Sequence, residues 1–467
     1  MNILKNKWAL LCIALLVFVS CNYNDINENE NNPADVPISS ILSASETFAM
    51  YELGDIPGRM SNIVTQQFAG GGNQSALQDR YSITENDPNQ NWVNLYQGGL
   101  EQYKVIITRA TEENSPHYSG IAKILSAFTL GVLTDLWGDI PWTEALQGAD
   151  NLQPAFDTQE FIYSEIQRLL DEGIAEVGAA VSNATPGSDD LIYGGDMDKW
   201  KAAAYSIKAR HYNNLSKVDP TGSANDALSA IGNAISSNNE NMEMIFVSDI
   251  TGQNPLYAFF NVQRVGDALM GKFFVDLLVG LSDPRLPMFV ENIGTPSVPE
   301  YVGSAAGLAE NGSSIGTFYS VPDAPLFGIT FAEIKFIEAE ASMRLGMTAQ
   351  AQAAYSAAIQ ASMEQYGVAS ADIATYLASN GTLTLGSEMN QIMTQKYIAM
   401  FTSHQAWTDW RRTGVPSLTP AANNVTGNVI PRRFPYPQSE RQNNSANVNA
   451  ASNNNPGNVT ARVWWDK

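Results

Sequence analysis

The chain has 467 residues and a formal charge of −22, from 48 acidic and 26 basic side chains. That balance argues against a nucleic-acid partner, whose phosphates need basic patches, and against electrostatic docking on anionic lipid; acidity of this kind is mainly a solubility device. With 44% hydrophobic and 10% aromatic residues, the composition fits a packed globule of one large or two modest domains and not a disordered polymer.

The first predicted element is an export signal over residues 1–20. Lys5 and Lys7 precede an apolar run from Trp8 to Val19, and Ser20 stands just before Cys21. A basic start, an apolar middle and a small residue before the cleavage point make that pattern. The run falls short of the ~20 apolar residues a bilayer span needs. A cysteine directly after Ser20 resembles a bacterial lipobox, which implies cleavage before Cys21 and a diacylglycerol thioether on its sulfur. Each buried CH₂ contributes about 0.8 kcal/mol, so two or three acyl chains anchor firmly. Cys12, the other cysteine, lies inside the signal. The mature chain is then expected to have no thiol for a disulfide, a thiolate–metal site or a nucleophile. Loss of two lysines and no acid leaves a mature charge of −24. Residues 21–37 are polar, rich in Asn and acid, and end in Pro33 and Pro37, which predicts an acidic flexible tether.

Helical periodicity then dominates. Helices are predicted at 38–51 and 60–68, the second broken by Gly70, Gly71 and Gly72, followed by a polar loop with aromatics to 91 and a helix at 94–109. Residues 121–137 are apolar nearly all round and predict a buried helix; Lys123 and Asp135 speak against a membrane span. Residues 161–177 are amphipathic, with Ile162, Ile166, Leu169, Leu170 and Ile174 on one stripe. Asp198 is the expected cap of a helix at 199–215, with Pro220 beyond its end, and 224–235 follows. From 246 to 325 Gly, Pro, Ser and Asn become frequent and no period is sustained, which predicts a loop-rich part with short strands. Helices return at 331–345, 349–366, 373–378 and 391–410. The last fifty residues are rich in Asn and Pro, and the apolar end Val463, Trp464, Trp465 is expected to dock on the body. Gly346, Ala351, Tyr355 and Ala358 reproduce the spacing of one tetratricopeptide unit, in which a small Ala lets two antiparallel helices approach and a Tyr fills the gap. Elsewhere that repeat is not readable.

Catalytic patterns are weak. Residues 266–272 read G-x₄-G-K, but Phe273 stands where a Mg²⁺-binding Ser or Thr belongs, so a loop and helix start is expected. His117, His211 and His404 show no paired spacing. Asp189, Asp190, Asp196 and Asp198 are rich in oxygen but lack the spacing of a calcium loop, and read as caps and turns. Asp135 with Asp139, or Glu338 with Glu340, would be the carboxylates to nominate for a glycosidase, and read better as caps and solvated helix faces. No catalytic residue, metal ligand or cofactor is therefore expected. Aromatics in loop-like stretches are the stronger lead: Phe68, Tyr81, Tyr257, Phe259, Tyr301, Phe318 and Tyr319. Flat rings with a polar edge suit stacking on the C–H faces of sugars, and loops on a rigid scaffold carry binding sites. Phe68, Tyr81, Tyr257, Tyr301 and Tyr319 form the candidate ligand-binding set; the alternative is that such rings anchor loops to the core.

The string DLWGDIPWTEA from Asp135 to Ala145 resembles the signature of the SusD/RagB nutrient-binding lipoproteins of Bacteroidota. LIYGGDMDKW at 191–200, SDPRL at 282–286, EIKFIEAEA at 333–341, WRRTGVP at 410–416, and Tyr436-Pro437 followed by Glu440 agree with it, in the expected order and over nearly the whole mature chain. The resemblance implies a mostly α fold: tetratricopeptide-like helix pairs forming an α-α superhelical scaffold (about 38–245 and 326–411). A loop-rich ligand-facing part (about 246–325 and 412–467) would complete a single domain over 38–467. It also implies a lipid anchor in the outer membrane, exposure to the cell exterior, and a SusC-like TonB-dependent transporter as partner. Asp25, Glu28 and Glu30, close after Cys21, resemble the acidic signals that send such lipoproteins to the surface. The matching strings, rich in Trp, Pro and Gly, read as scaffold. The expected function is non-catalytic capture of an oligosaccharide, less readily a peptide, for delivery to the transporter. A surface glycan hydrolase and a helical-repeat scaffold without a small ligand are the alternatives.

Overall fold

The computed structural model describes residues 36–467. The signal peptide, Cys21 and all but the last two tether residues lie outside the described residues. The scaffold helices are α1 (Ile38–Gly54), α2 (Ile56–Val64), α3 (Glu101–Glu112), α4 (Pro116–Trp137), α5 (Gln159–Val177), α6 (Met197–Asn214) and α7 (Gly222–Ile231), then α8 (Phe331–Arg344), α9 (Thr348–Gln365), α10 (Ser370–Asn380), α11 (Glu388–Ala399) and α12 (Gln405–Thr413).

Neighbouring helices pair as antiparallel hairpins, so the fold is mostly α with a tetratricopeptide-like scaffold. The predicted repeat unit is the α8–α9 hairpin. Gly346 makes its turn at φ +74°, a left-handed conformation that glycine adopts without steric cost. Ala351, Tyr355 and Ala358 are all buried, and the Tyr355 hydroxyl donates to the Asn380 carbonyl at 3.0 Å. In the α4–α5 hairpin the backbones come closer still: a Cβ on Gly120 would lie 3.0 Å from the Gly173 carbonyl oxygen. Helix α4 is long and apolar enough to cross a bilayer, but 94% of its most apolar window is buried inside the protein, as its all-round apolar pattern predicts.

Two antiparallel ladders tie the irregular part to this scaffold. Strand β2 (Met242–Ile245) pairs with β4 (Pro325–Ile329), closing the base of the 246–324 excursion. Strand β1 (Phe68–Gly70) pairs with β3 (Ala268–Met270) inside it. One contiguous apolar core runs from Ile38 to Val459, and a small satellite holds Tyr163, Val463 and Trp465.

Several boundaries differ from the sequence expectation. The 60–68 helix ends at Val64, and Phe68 opens β1 instead. Asp196, not Asp198, caps α6; its carboxylate accepts the N–H groups of Asp198 and Lys199, both at 3.1 Å. The 391–410 helix is two helices. Thr402 sits at φ +71°, and its N–H is taken by the Asn62 side-chain oxygen at 3.0 Å, so a tertiary partner replaces a helical bond. The acidic cluster serves caps and turns: Asp190 accepts from the N–H groups of Ile192, Tyr193 and Gly195 and from the Trp200 indole. The C-terminal end docks as expected, with Trp465 fully buried.

Candidate ligand-binding site

The site begins at the last turns of α1. Leu42, Glu46, Ala49, Met50 and Leu53 face the core, whereas Phe48 and Tyr51, three apart, lie on the opposite stripe. They are 46% and 37% exposed, large fractions for aromatic rings in this fold. Asp55 follows one turn further on, with its side chain 35% exposed.

Two irregular turns pack against α1 and α2. The described residues contain two π-helical turns, Leu95–Leu100 and Ala258–Gln263, one touching Phe48 of α1 and the other Arg59 of α2; such turns are rare and recur at functional sites. The first brings Gly98 against Phe48, so close that a Cβ would stand 2.8 Å from the ring. The second sets Phe259 beneath the guanidinium of Arg59, 3.8 Å from the ring centre. Arg59 is also bound by Asp55 at 3.0 Å, and burial lowers its pKa from the ordinary arginine value. Arg264 leaves the end of this turn exposed to solvent.

A buried carboxylate underlies the surface. Glu52 accepts from the amide groups of Asn91 and, at 2.7 Å, Asn94. Asn91 also donates to Asp55 at 3.0 Å. Burial pushes Glu52 up to about 7, although the two amides pull the other way. Tyr51 is raised by burial and then by the Asp55 and Glu52 charges. Asn94, Glu52, Asn91, Asp55, Arg59 and Phe259 are thus joined in one chain of contacts, and near it are the exposed rings of Phe48 and Tyr51, the partly exposed Asp55 carboxylate and the exposed Arg264 side chain, which has no ion pair among the described residues. Chemically this is a stacking platform flanked by hydrogen-bond donors and acceptors.

The aromatic set named from sequence divides. Phe68, Tyr81 and Tyr319 are buried, which corrects their placement on an open face. Phe68 packs on Phe260 and Phe401 at 5.0 and 5.4 Å between ring centres. The Tyr81 hydroxyl accepts the Ala421 N–H at 2.9 Å, and the Tyr319 hydroxyl accepts from Thr402. These rings anchor loops to the core. Tyr257 and Tyr301 are half-buried. Tyr257 lies in the turn that carries Phe259, capped by the Asn254 side chain; Tyr301 stands in the 291–316 segment and makes no ring contact with Tyr257. Phe48, Tyr51, Arg59 and Arg264 were missed. The available signal was a pair of aromatics on the polar side of a helix whose core stripe is complete without them.

Residues 30–437 match the SusD-like family model described as "Starch-binding associating with outer membrane". Among solved structures, a chitin-binding protein is 26% identical, with a TM-score of 0.81 over 92% of this chain and 100% of its own. A chitin-binding SusD homolog from Flavobacterium johnsoniae is 23% identical, with a TM-score of 0.77 over 91% and 98%. A SusD/RagB family protein from Bacteroides thetaiotaomicron is 22% identical, with a TM-score of 0.79 over 92% and 99%. No curated protein sequence matches the chain.

Proposed function

The chain belongs to the SusD-like family, described as starch-binding and associating with the outer membrane, and from that premise we propose that it captures an oligosaccharide at the cell surface without cleaving it. The Phe48–Tyr51 stripe beside Arg59, Phe259 and Arg264 carries this reading. Exposed rings take the C–H faces of sugar units, and the Asp55 carboxylate and Arg264 guanidinium take hydroxyls. A glycan suits exposed rings flanked by polar groups better than an extended peptide does. The starch-binding family and the chitin-binding relatives point to starch-type and chitin-type oligomers as the first ligands to try.

Cys21 is the proposed lipid anchor, and residues 21–37 the proposed tether of a single binding domain that faces the exterior. The captured glycan passes to a SusC-like TonB-dependent transporter, with the binding domain as a hinged lid biased by ligand. Calorimetric titration with maltohexaose and chitohexaose tests the binding claim, and chromatography of the recovered sugar tests the rest. Binding of either oligomer, weakened in Tyr51→Ala, with the sugar recovered intact, is the expected result; shortened products would refute a non-catalytic role. Cys21→Ala is expected to leave the membrane fraction.

A further inference from the structure

The end of the DLWGDIPWTEA string borders more than packed scaffold. Trp142 lines a cavity of about 590 Å³ on the flank of α3, α4 and α5, within the size range of small-ligand pockets. We infer that this cavity is a second saccharide subsite, taking one or two sugar rings of the same chain that the Tyr51 surface holds. The inference rests on the oligosaccharide reading above.

The Trp142 ring is fixed by its indole N–H, which donates to Glu165 at 3.1 Å. Glu165 is in turn gripped by two nitrogens of Arg168, at 3.0 and 2.8 Å. Beside the ring stands a row of planar polar groups, held in place by one another and still offering oxygens and N–H groups to a ligand. The facing wall is Leu100, at the end of the π-helical turn, and then α3, with apolar Ile107 and polar Lys104 and Thr108. The Lys104 ammonium donates to the Leu146 carbonyl and forms no ion pair among the described residues. An aromatic ring with bidentate side chains beside it is the chemistry that recognises a sugar: C–H faces stack, vicinal hydroxyls bridge.

Its place in the fold links it to the first site. The π-helical turn Leu95–Leu100 touches Phe48 through Gly98 and lines the cavity through Leu100. One six-residue turn therefore separates the two surfaces. A chain held at both gains through effective concentration, and a short sugar does not.

The test uses the full chain labelled with 5-fluorotryptophan, the residue 142 resonance being assigned by Trp142→Phe. Thr108→Trp blocks the cavity from an exposed position without touching the core. Chitohexaose or maltohexaose is expected to shift the residue 142 resonance in the wild type and, at higher concentration, in Tyr51→Ala. Thr108→Trp is expected to abolish the shift and to raise the hexasaccharide Kd by about threefold to tenfold, on the order of 1 kcal/mol, while leaving the disaccharide Kd at the Tyr51 surface unchanged. A silent residue 142 resonance at concentrations that saturate a Tyr51-dependent site overturns the subsite and leaves the first reading standing. Failure of every hexasaccharide to bind the wild type overturns both.

Discussion

The guanidinium of Arg59 lies 3.8 Å from the centre of the Phe259 ring. This contact joins α2 to the turn that carries Phe259 and Arg264, segments far apart in the chain. A desolvated cation–π pair contributes about 2 kcal/mol, and Arg59 is buried, with Asp55 as its ion partner. The pair is therefore a hinge pin: Arg59 is spent on structure, and Tyr51, Asp55 and Arg264 are left for a ligand.

Substitutions should separate these roles. Tyr51→Ala and Arg264→Ala are each expected to weaken oligosaccharide binding about tenfold, near 1.4 kcal/mol, with the melting temperature unchanged. Phe259→Ala is expected to lower both affinity and melting temperature, because the turn loses its anchor. Tyr319→Phe, altered inside the core, is expected to bind like the wild type. Calorimetric titration and thermal melts on one set of variants check all four.

Glu52 gives the site a pH signature. Its carboxyl is raised from 4.5 to about 7 by burial, so the folded protein binds its proton more tightly than the unfolded chain does. Folded-state stability from this group is complete below about 4.5 and is lost as pH rises through 7, a loss of about 3 kcal/mol for the full shift. His211, lowered to about 3 by burial and then by Arg210, acts in the opposite sense, removing stability as pH falls below 6.5. Glu52→Gln stays neutral throughout. The difference in melting temperature between Glu52→Gln and the wild type is therefore expected to move in the variant's favour from pH 5 to pH 8. A difference constant across that range would refute the assignment.

The scaffold was legible where periodicity reports burial. The all-round apolar run at 121–137 is the buried α4, and the Ala and Tyr spacing at 351–358 is the inner face of α9. The break at Thr402 was not legible, because the group that replaces its helical bond is Asn62, on another helix. The candidate site was half legible. Loop aromatics pointed to the 255–263 turn, but a ring in a loop says nothing about which way it faces. Phe68 and Tyr81 turn inward because β1 and the Ala421 N–H hold them there. Phe48 and Tyr51 were hidden by lying in a helix, where aromatics read as core.

Buried ion pairs should matter far more than exposed ones. Arg412 holds Glu340 at 2.7 and 2.9 Å and Asp409 at 2.6 Å, and Lys396 holds Asp409 at 2.9 Å. Burial alone would raise Glu340, yet the surrounding Arg412, Arg344 and Lys396 charges hold it well below the ordinary carboxylate range. Glu340→Ala leaves Arg412 short of a partner and is expected to cost about 3–5 kcal/mol. Asp276→Ala, which breaks the exposed pair with Lys272, is expected to cost under about 1 kcal/mol. Urea unfolding midpoints distinguish the two.

The C-terminal segment docks through one indole. Trp465 is fully buried, and its indole donates to Asp135 at 3.1 Å. Asp135 also accepts from the Tyr163 hydroxyl at 2.5 Å and the Asn214 amide at 3.1 Å. Burial raises this carboxyl to about 6 despite those donors and the nearby Arg411. Trp465→Ala removes a large core side chain and is expected to cost about 3–5 kcal/mol. Trp465→Phe keeps much of the volume and removes the donor, at about 1–3 kcal/mol. A carboxylate that loses a donor becomes harder to ionise, so the Asp135 pKa rises further in Trp465→Phe. The cost of that substitution is then largest above pH 7, where the wild-type carboxyl is charged, and shrinks as pH falls through 6 and the proton returns. Melting temperatures of the wild type and Trp465→Phe at pH 5 and pH 8 measure this. An equal gap at both values would mean that the indole contributes packing alone.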